Sequence, residues 1–202
     1  MFDLLTPMVP QPVTLRNEHV TLEPLTTQHT RDLCDALDDS VFEYMPMRSN
    51  VKTINEVRRY IEFHIKRPDT ITFAVIDNAT ERAIGSTSYL HIRNEHHGLE
   101  IGSTWITKSA RGTKINPSMK YLMLEHAFET LGVIRVDIRT DSRNTVSRRA
   151  IEKLGAQFEG ILRAQMIMPD KALRDTAVYS ITRGEWAEVK TQLIDRIGST
   201  TT

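Results

Sequence analysis

Cysteine is nearly missing from this chain. Its single thiol, Cys34, can close no intrachain disulfide and cannot supply a multi-cysteine zinc site. Such usage suits a reducing compartment, so a cytoplasmic location is expected. Net charge is missing too: 26 Lys and Arg balance 26 Asp and Glu. No global field draws the chain to nucleic acid or to anionic lipid, and neither is expected as a partner. Long apolar runs are lacking; the cleanest, such as 73–76, are strand-sized, which predicts no membrane span. The first residues carry no basic stretch ahead of an apolar one, so no signal peptide is expected. The phosphate-binding patterns GxxxxGK followed by Ser or Thr, and GxGxxG, do not occur. Neither do repeats, low-complexity segments or linkers.

What is present suits a globular protein. The 202 residues are 40% hydrophobic and 26% charged, enough to bury a core without covalent staples. The spacing predicts an extended lead-in over residues 1–12, with Pro7, Pro10 and Pro12, and then a single domain over 13–198. Short strands are expected at 13–16 and 19–25. Two helices follow, at 28–37 and 53–66, the second opened by the capping box Thr53-x-x-Glu56. The intervening loop, 41–50, carries Phe42, Tyr44, Met45 and Met47. Strands are predicted at 71–77, 84–93 and 99–107. A helix at 116–131, with Asn116 as cap and Pro117 in its first turn, is apolar almost all round. Residues 134–140 alternate, with Ile134, Val136 and Ile138 on one face and Arg135, Asp137 and Arg139 on the other. A helix over 144–154, paired strands 157–167 and 173–181, and a last helix over 184–197 complete the chain. The order β-β-α-α-β-β-β-α-β-α-β-β-α predicts a mixed α/β or α+β fold, not a Rossmann alternation.

Two segments carry candidate chemistry. Between Trp105 and Pro117 a strand gives way to a short loop with Lys108, Arg111, Gly112 and Lys114, then to a capped helix. Free N–H groups at a helix start, with three cations, suit phosphate; a solvated turn is the plainer alternative. In the helix from Asn144, the positions Ser147, Ala150, Ile151 and Leu154 share the inner face. Ser147 there suits an anion or a leaving group, or merely close packing, and Asn144 suits a cap or a ligand amide.

The run Glu100-Ile101-Gly102-Ser103-Thr104-Trp105-Ile106, the loop Arg111-Gly112-Thr113-Lys114-Ile115-Asn116, and the block Asp141-x-x-Asn144-x-x-Ser147-x-x-Ala150-Ile151-x-x-Leu154-Gly155-Ala156 then Glu159-Gly160 resemble the GCN5-related N-acetyltransferase (GNAT) superfamily. Within it the chain is most similar to the RimJ/RimL-type ribosomal-protein N-acetyltransferases, from about residue 13 to 186. The resemblance implies a twisted, mostly antiparallel sheet of about seven strands, splayed between 99–106 and 134–140. It implies acetyl-CoA as donor, with no metal, and a primary amine as acceptor, either a small molecule or a protein N-terminus. A monomer or homodimer is expected.

The same resemblance implies the site. Trp105, Ile106 and Thr107 end the strand that would bond pantetheine. Arg111, Gly112, Thr113, Lys114, Ile115 and Asn116 match the pyrophosphate loop, with Lys114 where the family usually has glycine and Asn116 where it has Gly or Ala. Asn144 matches a CoA-arm contact, and Ser147 the residue near the thioester sulfur, a candidate general acid. Glu100 matches a general base and is assigned to one strand face with Gly102 and Thr104. Phe42, Tyr44, Met45 and Glu100 are expected at the acceptor. The family's common tyrosine acid is not matched: Tyr179 is placed on the last strand and Tyr121 on the buried helix. His91, His96 and His97 read as a solvated turn rather than a metal site. Arg148 and Arg149 read as a solvent face. The competing reading is a module on the same fold that binds CoA or a protein without catalysis.

Overall fold

The computed structural model describes residues 6–45 and 51–198. Strands β1 (Leu15–Arg16) and β2 (Val20–Pro24) lead into helices α1 (Thr30–Ala36) and α2 (Ile54–Ile65). Strands β3 (Ile71–Asp77), β4 (Arg82–Arg93) and β5 (Gly98–Ile106) precede α3 (Ile115–Glu125) and β6 (Arg135–Asp141). Helix α4 (Thr145–Glu152), strands β7 (Gln157–Ile167) and β8 (Leu173–Thr182), and α5 (Trp186–Gly198) finish the chain. The element order is the expected one. The sheet holds eight strands rather than about seven, ordered β1-β2-β3-β4-β5-β6-β8-β7.

Local chemistry accounts for the helix ends. Thr53 accepts from the Glu56 N–H while the Glu56 carboxylate takes the Thr53 N–H, closing the capping box. Asn144 Oδ1 accepts from the Ser147 N–H at 2.9 Å, so the cap role is filled. Helix α3 starts earlier than expected. Lys114, not Asn116, is the flanking residue, and Pro117 is third in the helix. Proline costs nothing there, since those N–H groups have no acceptor within the helix. The same helix ends in a π-turn at His126–Thr130.

Among the described residues only β5 and β6 run parallel, and they pair over three positions: Gly98 with Arg135, Leu99 with Val136, Glu100 with Asp137. Beyond that the strands part, which is the expected splay. A main core of Leu99, Ile101, Met119, Met123, Val136, Ile138 and Tyr179 fills the face under α3, α4 and α5. A smaller core of Leu33, Val57, Tyr60, Ile61, Ala74 and Trp105 lies on the opposite face, under α1 and α2. His97 departs from the solvated turn expected of it. It is buried, with one ring nitrogen on the Gly132 carbonyl and the other on the Thr6 carbonyl, tying the N-terminal segment to the turn after α3.

Candidate active site

The splay decides where chemistry can occur. Because β5 and β6 are parallel, both C-terminal ends lie at its open mouth, and a helix starts after each. That crevice is where open α/β sheets bind ligands. The loop before α3 is an array of free donors: among the described residues, the N–H groups of Gly112, Thr113 and Lys114 donate to no acceptor. Gly112 has φ +78°, a conformation that other residues adopt only at a cost. Lys114 has φ −70° and ψ −12°, so a side chain at that position brings no backbone strain. Thr113 Oγ1 accepts from the Ile115 N–H at 3.3 Å, and Asn116 is half-buried in the first turn.

The Arg111 side chain is engaged elsewhere. It donates to Asp38 at 2.7 Å, to Ser40 at 2.8 Å and to the Ile106 carbonyl at 3.3 Å, pinning the segment after α1 to the loop. Trp105 turns its indole into the smaller core and donates to the Tyr60 hydroxyl at 3.3 Å. Ile106 is buried in the main core, and the Thr107 N–H donates to the Ile84 carbonyl at 2.7 Å. A shallow cavity of about 690 Å³ borders Thr113 and Lys114 on the side of the β1–β2 and β3–β4 turns. No residue of β5, β6 or α4 lines it.

One feature of β5 overturns the expected face assignment. Ser103 has φ +46°, and two β5 residues stand between Gly102 and Trp105 where β4 has one between Ser88 and Ser86. This bulge flips the alternation. Glu100, Gly102 and Trp105 therefore share the α2 face, and Thr104 points to α3, where it bonds Thr87 at 2.7 Å and Lys120 at 3.0 Å. Lys120 is buried, and desolvation pushes its ammonium down to about 7.

Glu100 is only 7% exposed. Its carboxylate folds over Gly102, where a Cβ would stand 3.0 Å from Glu100 Oε1. Burial pushes the Glu100 carboxyl up, opposed by the charges of Arg139 and His91. Arg139 Nε lies 3.3 Å from Glu100 Oε2, and His91 Nε2 lies 4.0 Å away. The face continues in register. Asp137 and Asp141 on β6, and Arg174 on β8, line up with Glu100 and Arg139. Asp137 is paired by Arg93 and Arg135, and Asp141 by Arg143.

The segment after α1 fits its expected place in part. Phe42 is buried against Tyr60 and Trp105, with ring centroids 6.1 and 6.5 Å away, and so belongs to the core. Tyr44 and Met45 are half-buried, and the Tyr44 carbonyl accepts from Arg174 at 3.2 Å. Met47 lies outside the described residues. Beyond the mouth, Ser147 is half-buried, and its hydroxyl bonds no described residue. Tyr179 is fully buried and held between Arg148 at 2.9 Å and Glu152 at 2.9 Å, so Arg148 belongs to this contact rather than to a solvent face. Sequence reasoning missed Arg139, Arg174 and Lys120. The period-two pattern of β6 held the signal for Arg139, whose face was legible although its partner Glu100 was not.

The family model for an acetyltransferase (GNAT) domain matches residues 19–157. The fold is similar to the crystal structure of a GCN5-related N-acetyltransferase from Brucella melitensis, with TM-score 0.90 and 28% identity, covering 96% of this chain and 89% of that one. It is also similar to Mycobacterium smegmatis RimJ in complex with CoA-disulfide, with TM-score 0.76 and 18% identity over 95% and 97% of the two chains. An uncharacterized N-acetyltransferase, p20 of Bacillus licheniformis, is 23% identical over 177 residues, 86% of this chain and 98% of that protein.

Proposed function

The chain belongs to the acetyltransferase (GNAT) family, whose members are acetyl-CoA-dependent acyltransferases, and from that premise we propose that it acetylates a primary amine by direct attack in a ternary complex. The splay carries this reading. Backbone groups of β5 beyond Glu100 have no partner on β6, and unpaired buried amides require one. A pantetheine arm, itself a chain of amides, fits that need. The free N–H groups of Gly112, Thr113 and Lys114, with the Lys114 ammonium and the helix start at Ile115 and Asn116, suit the diphosphate. Backbone at Trp105, Ile106 and Thr107 borders the arm, and Asn144 and Ser147 face it from α4. Arg111 supports the loop by holding Asp38 and Ser40 against it.

Acetyl-CoA supplies the thioester carbonyl and, on transfer, a thiolate leaving group. The remaining work falls to the chain. Glu100, buried and partly opposed by Arg139, takes the proton of the attacking amine directly or through water. A carboxyl raised by burial is a stronger base than an exposed one. Ser147 gives a proton to the departing sulfur, its hydroxyl being uncommitted. Tyr44 and Met45 border the acceptor, with Phe42 behind them. Atoms and protons then balance: a C–N bond forms, a C–S bond breaks, CoA leaves as the thiol, the amine's proton passes to Glu100 and on to solvent, and Ser147 regains a proton from solvent.

The test is thiol release from acetyl-CoA with a panel of amines, in the wild type and in Glu100→Gln. The variant is expected to lose about 10²–10⁴-fold in kcat with acetyl-CoA affinity unchanged. Part of that loss should return at high pH, where the free amine is already neutral. A silent Glu100→Gln would remove the base. Tight acetyl-CoA binding without release toward any amine would leave a binding module.

A further inference from the structure

Resting on the acceptor site just described, we propose that Arg174 and Arg139 form an anion-recognition subsite there, and that the acceptor is a small amine bearing a free carboxylate. One face of the sheet gathers charge. Glu100, Asp137, Arg139, Asp141 and Arg174 share it by register. Asp137 is matched by Arg93 and Arg135, with Arg135 also reaching Glu159. Asp141 is matched by Arg143. Glu100 is left facing Arg139. Arg174 remains over: among the described residues, no carboxylate lies within ion-pair distance of its guanidinium.

Arg174 is also 6% exposed. A cation so buried ordinarily has a charged partner, because desolvation without one is costly. Among the described residues its only hydrogen bond runs from Nη1 to the Tyr44 carbonyl, and its Nε has none. Arg139 Nε and Glu100 Oε2 are likewise buried without a hydrogen-bond partner, although 3.3 Å apart, because their geometry is poor. Three orphaned polar atoms on one face, two of them guanidinium donors, describe a place that a planar anion completes. Guanidinium is the group suited to a carboxylate. Glu100 and Asp141 both feel the Arg174 charge, which sets it beside the proposed base. A bound carboxylate would therefore hold its own amine close to Glu100. A peptide N-terminus carries no free carboxylate next to its amine, so this subsite favours the amino-acid type of acceptor over a protein.

The experiment has two arms. In the first, thiol release is compared for glutamate and aspartate against their diamides, in wild type, Arg174→Gln and Arg174→Lys. The free acids are expected to be preferred. Arg174→Gln should cut their kcat/KM about ten- to a hundredfold, the worth of a charge-assisted contact, with the KM for acetyl-CoA unchanged; Arg174→Lys should recover part. Equal use of acids and amides, or a preference that survives Arg174→Gln, overturns the proposal. The second arm needs no turnover: the thermal shift given by N-acetylglutamate is compared with that of its diamide. A shift for the acid alone, lost in Arg174→Gln, supports the subsite even where acetyl transfer fails. No shift with the acid in a wild type that transfers acetyl groups overturns the subsite while leaving the reaction standing.

Discussion

The two faces of β5, β6 and β8 are built on opposite principles. Toward α3 they present Leu99, Ile101, Val136, Ile138, Ala177 and Ile181, all in one apolar core. Toward α2, the same strands present Glu100, Asp137, Arg139, Asp141 and Arg174. Both faces are buried, so burial alone does not separate structure from function. The apolar face is satisfied within the chain. The charged face closes its account only in part, leaving Glu100 Oε2, Arg139 Nε and Arg174 Nε without hydrogen-bond partners. Each face has an exception. Trp105 is an apolar group on the charged side, and Lys120 is a charge on the apolar side. The bulge at Ser103 explains the first, because without it Trp105 would point to α3.

The comparison breaks most sharply if a charge is moved across. Ile101→Asp places an unpaired carboxylate in the main core. It should cost about 4 kcal/mol or more, a large share of any domain's stability. Urea unfolding followed by circular dichroism measures it; a loss under about 1 kcal/mol would show that this face tolerates charge.

Lys120 sharpens the contrast through pH. Its folded-state pKa lies near 7, below the ordinary 10.5. The unfolded chain therefore binds more protons between these values, and stability must rise with pH across that window. The penalty is fully present below pH about 7 and gone above 10.5. Lys120→Met should stabilise the protein by a few kcal/mol at pH 6, and the gain should shrink steadily above neutrality. Melting curves across the range check both points, and a gain that stays constant with pH would assign the effect to packing.

The smallest effect belongs at the edge of the site. Asn144→Ala removes the acceptor for the Ser147 N–H and should cost about 1 kcal/mol. If Asn144 acts only as a cap, the KM for acetyl-CoA should move no more than stability requires. A several-fold rise in that KM in a fully folded variant would give the residue a ligand role as well.

Much of the fold was legible because its signals are local. Thr53 and Glu56 announce a helix start through groups three residues apart, and Asn144 does the same with Ser147. The alternation of β6 named its two faces before any partner strand was known. Helix α3 was legible as buried, and its start was misplaced by two residues because Asn116 and Pro117 fit inside a first turn as well as before it. The solvent reading of His97 and Arg148 failed for a common reason. Their partners, Gly132 and Thr6 in one case and Tyr179 in the other, lie far along the chain.

By itself the sequence determined the order of elements, the caps of α2 and α4, the parallel step through α3, and the loop whose Gly112 allows free N–H groups to converge. Those features depend on neighbours within a turn or a strand. Tertiary structure alone decided where β5 and β6 part, which side Thr104 takes, and that Asp137 and Asp141 on the charged face of β6 are buried rather than wet. A register shift of one residue or a single bulge reverses every later side chain, and nothing local in the sequence records it. For the same reason the meeting of Glu100, Arg139 and Arg174 belongs to the fold: three strands contribute one residue each, and only their pairing sets them on one face.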